Sequence, residues 1–117
     1  MSVNLRPAQA LYLWHKANLA MVLDDEPDLS QRQWTILLSI YLESPPHTVR
    51  GLAHKLSVTK PVITRALDTM GGWGLVSRRR DPDDRRNVVI QRTVAGSLFL
   101  DDAIAPICPL RSEISPF

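Results

Sequence analysis

The sequence predicts a mainly α-helical domain with a small β-hairpin, the α+β arrangement of a winged helix-turn-helix. Three observations predict it. Two short amphipathic helical patterns between Thr48 and Gly71 are separated by only three residues; two β-prone runs follow, joined by a charged, proline-containing loop; and the basic residues crowd into that same stretch. From Thr48 to Arg92 there are ten Lys or Arg against four Asp or Glu, a net +6, while the rest of the chain carries four bases against eight acids, a net −4. The overall charge of +2 hides this segregation. A positive field gathered on one part of a molecule suits binding to a phosphate backbone.

The elements follow in order. Residues 5–23 read as a helix with Pro7 tolerated in its first turn. Leu11, Trp14, Ala17 and Met21 make one apolar stripe, widened by Leu13, Ala20 and Leu23, which is more apolar circumference than a small helix without a partner needs. The acidic run Asp24-Asp25-Glu26-Pro27-Asp28 breaks the chain. Ser30 with Gln33 has the form of a capping box and starts a second helix, whose Trp34, Leu37, Leu38 and Tyr41 recur at the spacing of one helical face. Pro45-Pro46 ends it.

Thr48 caps a third helix in which Val49, Leu52, Ala53 and Leu56 repeat the same spacing. Ser57-Val58-Thr59 is a turn, and a fourth helix opens near Lys60 with Pro61 where its missing N–H costs little. Ile63, Ala66, Leu67 and Met70 form its inward stripe, and Gly71-Gly72-Trp73-Gly74 terminates it. Residues 60, 61, 64, 65 and 68 lie away from that stripe and are free to face a ligand. In a helix-turn-helix the second helix enters the major groove. Leu75-Val76-Ser77 and Val88-Val89-Ile90 are the two short strands, and residues 78–87 form the loop between them. Arginine at the tip of such a wing suits a narrow minor groove, where negative potential is concentrated.

Other classes find little footing. No apolar run approaches the ~18 residues of a membrane span, and no signal-peptide layout opens the chain. The lone Cys108 forms no internal disulfide framework and suits a reducing, cytoplasmic compartment. His15, His47 and His54 stand in no catalytic setting and lack the close spacing of a metal site, so no catalytic residue, metal or cofactor is expected. Tyr12, Trp14, His15, Trp34 and Tyr41 could line a ligand pocket between the first two helices, or serve simply as core. The competing function is a winged-helix module that docks a protein and no longer regulates DNA; Arg78, Arg79, Arg80, Arg85 and Arg86 favour DNA.

The stretch from Leu29-Ser30 and Gln33-Trp34 through Gly96 resembles the MarR family of bacterial regulators. Val49-x-x-Leu52-Ala53, Val62-x-Thr64-Arg65 and Gly74-Leu75-Val76-x-Arg78 carry the likeness. Its most specific piece is Asp81-Pro82-Asp83-Asp84-Arg85-Arg86, followed by Thr93 and Gly96. The resemblance implies a homodimer on a pseudo-palindromic operator in double-stranded DNA, often a repressor, often released by a small aromatic effector. It also implies that Thr59, Lys60, Pro61, Thr64 and Arg65 face the major groove, that Arg78, Arg85 and Arg86 serve the wing, and that Asp84 orients Arg86 for the minor groove. On this reading the chain is one winged-helix domain, 1–117, with a DNA-binding core at 30–93, dimerisation helices at 5–23 and 94–105, and an irregular tail at 106–117. Two departures stand out: Arg92 takes a place where the family usually has leucine, and Pro106, Pro109 and Pro116 shorten the last helix.

Overall fold

A computed structural model describes residues 4–23 and 27–105; Asp24–Glu26 and the tail from Pro106, with Cys108, lie outside the described residues. Five helices and three strands follow in the order α1 (Pro7–Leu23), α2 (Gln31–Leu42), β1 (His47–Thr48), α3 (Val49–Leu56), α4 (Lys60–Gly72), β2 (Val76–Arg80), β3 (Val88–Arg92) and α5 (Val94–Ile104). The described residues up to Asp28 and from Leu100 onward form a first compact unit, and residues 29–99 form the second.

The first unit contributes α1, in which no residue is buried. Leu11 and Trp14, expected in the apolar stripe, are each 61% exposed. Lys16 places its ammonium 5.3 Å from the centre of the Tyr12 ring, one turn earlier on the same helix.

The core of the second unit is built from α2, α3, α4 and the sheet. Ile36, Leu37 and Ile40 of α2 and Ile63, Leu67 and Met70 of α4 are all wholly inaccessible to solvent, and each such burial stabilises the fold by about 1.5–3 kcal/mol. The stripe read for α4 is the buried one, with Ala66 completing it. For α2 the expected face is corrected. Its inward residues are Ile36, Leu37, Ser39 and Ile40, whereas Leu38 is exposed and Trp34 and Tyr41 form a half-buried lateral face. Trp34 there stacks on Phe99 of α5 at 5.6 Å between ring centroids.

Helix ends follow their local chemistry. The Ser30 hydroxyl accepts from the Gln33 amide at 3.1 Å, and the Gln33 side chain accepts from the Ser30 amide at 2.8 Å, closing the capping box. Thr48 accepts from Gly51 N–H at 2.9 Å. The α3–α4 turn passes through Ser57 in the left-handed region, φ 56°. After α4, Gly74 adopts φ +74°, a conformation that glycine enters without strain, while Leu75 N–H bonds back to the Met70 carbonyl at 3.0 Å.

The sheet differs from the expected hairpin in two ways. It has a third strand, β1, giving the antiparallel order β1-β3-β2, with His47 opposite Ile90. The hairpin strands are also longer, so Arg78–Arg80, expected in the loop, sit on β2 opposite Ile90–Val88. Pairing with β3 extends the strand into polar sequence because cross-strand backbone hydrogen bonds do not depend on side-chain type.

Candidate nucleic-acid interface

Two exposed features of the unit 29–99 present cations to solvent. The first is the outer face of α4. Thr59, Lys60, Pro61, Thr64 and Arg65 are all exposed, on the side opposite Ile63, Ala66, Leu67 and Met70. Thr59 is the N-cap residue by backbone geometry, yet its side chain makes no capping hydrogen bond. Asp68 shares this face and would repel phosphate, but Arg78 of β2 reaches it at 2.8 Å. Arg78 therefore neutralises an acid on the helix and ties the wing to it, in addition to the wing role expected for it.

The second feature is the wing tip, residues 81–87. Its shape comes from short backbone closures. Asp81 N–H donates to the Asn87 carbonyl and Asn87 N–H to the Asp84 carbonyl, each at 2.9 Å. The Asp81 carboxylate accepts from Asp83 N–H at 2.9 Å, and the Asp84 carboxylate accepts from Arg86 N–H at 3.1 Å. Arg80 crosses the loop to the Arg85 carbonyl at 2.8 Å. The Arg86 side chain is 93% exposed, with its Nε 4.0 Å from the Asp84 carboxylate. Asp84 thus holds the backbone of Arg86 by a hydrogen bond and its guanidinium only at ion-pair range.

Among the described residues the ion pairs are Lys55–Glu43, Arg78–Asp68 and Arg86–Asp84. Arg50, Lys60, Arg65, Arg79 and Arg85 are exposed and form none, which leaves their charge available to a polyanion.

Arg92 has a role that its place in sequence did not suggest. Its guanidinium donates to the Ile40 carbonyl at 2.8 Å and the Glu43 carbonyl at 2.9 Å, and lies 6.0 Å from the centre of the Tyr41 ring. It caps the C-terminal end of α2, where carbonyls lack helical partners. His47 shares the Glu43 carbonyl at 3.1 Å, and burial, with the Arg92 cation beside it, lowers its pKa from the usual imidazole value. The signal in sequence was the cation itself at a position expected to be apolar.

The five aromatic and imidazole residues considered for a ligand pocket divide between the units: Tyr12, Trp14 and His15 on α1, Trp34 and Tyr41 on α2. The Tyr41 hydroxyl donates to the Leu75 carbonyl at 2.6 Å and accepts from Thr93 N–H at 2.9 Å, so it fastens the start of the wing to the start of α5. Among the described residues no group of three His, Cys, Asp or Glu side chains is arranged to hold a metal, and no helix is long and apolar enough to cross a membrane.

The fold recurs among known proteins. The model of the MarR family matches residues 29–88. The transcriptional regulator Tm0710 from Thermotoga maritima is similar at a TM-score of 0.72 and 25% identity, over 90% of this chain and 74% of that one. The transcriptional regulator BldR from Sulfolobus solfataricus is similar at a TM-score of 0.62 and 28% identity, over 94% and 79%. A MepR variant from S. aureus, bound to an oligodeoxyribonucleotide, shares the fold at a TM-score of 0.73 and 18% identity, over 92% and 76%.

Proposed function

The chain belongs to the MarR family of transcriptional regulators, and from that premise we propose that it represses transcription by binding a pseudo-palindromic operator as a homodimer in the cytoplasm. The observation that carries the DNA-binding part is the pair of exposed cationic features, Lys60 and Arg65 on α4 and Arg85 and Arg86 on the wing, in one compact unit. On this reading Thr59, Lys60, Pro61, Thr64 and Arg65 meet the major groove. Arg85 and Arg86 meet the flanking minor groove, with Asp84 and Arg78 setting the wing.

The test is a titration of a mixed-sequence duplex, and of the tightest duplex selected from a randomised pool, across a salt series. Three or more phosphate contacts per copy predict a log–log slope on the order of −5 or steeper for a dimer. A slope near zero, or salt-insensitive capture of a protein instead, would reject it. Release by a small aromatic effector is part of the same proposal; repeating the titration with small phenolic acids tests it, and unchanged affinity across such a panel would remove it.

The homodimer is supported by the apolar surface that two helices leave uncovered: Leu11, Trp14, Val22 and Leu23 on α1, and Val94, Leu98 and Ile104 on α5. Sedimentation equilibrium at tens of micromolar should give twice the single-chain mass. A single-chain mass at that concentration would overturn the dimer.

A further inference from the structure

Beside the recognition face, the first turn of α2 faces the flank of α4 across an open groove of about 210 Å3, with Arg32 on one wall and Arg65 and Thr69 on the other. Most of its polar groups are already engaged. Ser30 and Gln33, which also line it, bond to each other's backbone amides, and the Thr69 hydroxyl donates to the Arg65 carbonyl. That leaves two guanidinium groups, neither in an ion pair among the described residues.

Folding alone does not account for Arg32. A cation in the first turn of a helix opposes the partial positive charge there, and the first turn of α2 has no acidic residue to offset it. Two cations across a groove also repel each other until an anion lies between them.

The dimensions of duplex DNA suggest the anion. A helix of about 10–12 Å diameter fills a major groove about 12 Å wide, so the sugar-phosphate strands bordering the groove run past its flanks. We infer that the groove between Arg32 and Arg65 is a backbone slot for a phosphodiester of the strand alongside α4, with Arg32 as a dedicated phosphate contact. The inference rests on the DNA-binding function proposed above and extends that interface to α2.

Both duplexes of the salt titration serve as probes for the full-length chain. Arg32→Ala and Arg32→Gln should weaken both duplexes by the same factor and make the log–log slope shallower by about one per bound copy. Arg32→Lys should keep the slope, and none of the three should lower the thermal midpoint. Arg65→Ala, which removes the other wall of the slot and a residue of the recognition face, should make the slope shallower as well and in addition reduce discrimination between the duplexes. A wild-type slope in both Arg32→Ala and Arg32→Gln, beside normal wild-type binding, overturns the slot alone; so does a loss confined to the selected duplex, which would mean a base contact. A wild-type protein that ignores both duplexes at low salt overturns the proposed function and the slot with it.

Discussion

Gly96→Ala is expected to destabilise the protein by about 3 kcal/mol or more, although alanine is the better helix former by about 1 kcal/mol. A Cβ at this position in α5 would stand 1.8 Å from the Tyr41 hydroxyl oxygen and 2.3 Å from the Leu75 carbonyl oxygen. The second of these is backbone and has no rotamer by which to yield. Displacing Tyr41 would break its bonds to Leu75 and Thr93, each worth about 0.5–1.5 kcal/mol, in addition to the overpacking itself. For a unit of this size the melting temperature should fall by roughly 12 °C or more. Ser97→Ala, one residue along the same helix at an exposed position, should change stability by no more than about 0.5 kcal/mol. A thermal melt in which Gly96→Ala matches or exceeds the wild type would show that α5 does not pack on the start of the wing as described.

The wing carries the second large effect. Arg86→Ala should weaken binding to the selected duplex by roughly tenfold to a hundredfold, equivalent to about 1–3 kcal/mol, because an exposed guanidinium at the tip can enter a narrow minor groove. Asp84→Ala should weaken it too, even though removing an acid ought to favour phosphate. The geometry says why: the Asp84 carboxylate holds the Arg86 amide at 3.1 Å, so its loss loosens the tip that presents Arg86. Asp84→Asn separates the two actions of that side chain. Its amide oxygen still accepts the backbone bond while the charge is gone, so it should bind at least as tightly as the wild type. If the ion pair to the guanidinium were the essential contact, asparagine would fail as alanine does. In a double-mutant cycle the alanine effects at 84 and 86 should be strongly non-additive. Tighter binding by Asp84→Ala, or clean additivity, would leave the wing a featureless basic loop. Arg92→Ala removes the same charge from the same hairpin, but Arg92 is engaged on the end of α2. Its loss should lower the thermal stability by roughly 1–2 kcal/mol and affect binding less than Arg86→Ala.

Among the features legible in sequence, the inward stripe of α4 matches the buried residues, and Thr48 caps α3 as its place before Val49 suggested. The wing was legible as two β-prone runs around a charged turn, although its strands proved longer. The candidate interface was legible in part. Exposure of Thr64 and Arg65 follows from helical periodicity, whereas the pairing of Arg78 with Asp68 joins residues on different elements and leaves no mark in local spacing. Nor did Arg32 stand out, because what distinguishes it is the Arg65 facing it from another helix.

The sequence by itself therefore determined the helices, their caps, the winged arrangement and the stretch of chain that carries the positive charge. These depend on residues within about a turn of one another, through the 3.6-residue period and the bonding of side chains to nearby amides. Only the tertiary structure decided which side of α2 is buried, that His47–Thr48 adds a third strand, that Arg92 caps a helix ending some fifty residues earlier, and that Gly96 has no room for a methyl group. Each of these is a contact between distant segments. The same arginine would be a solvated charge, and the same glycine an ordinary weak helix residue, if the carbonyls of Ile40 and Leu75 lay elsewhere.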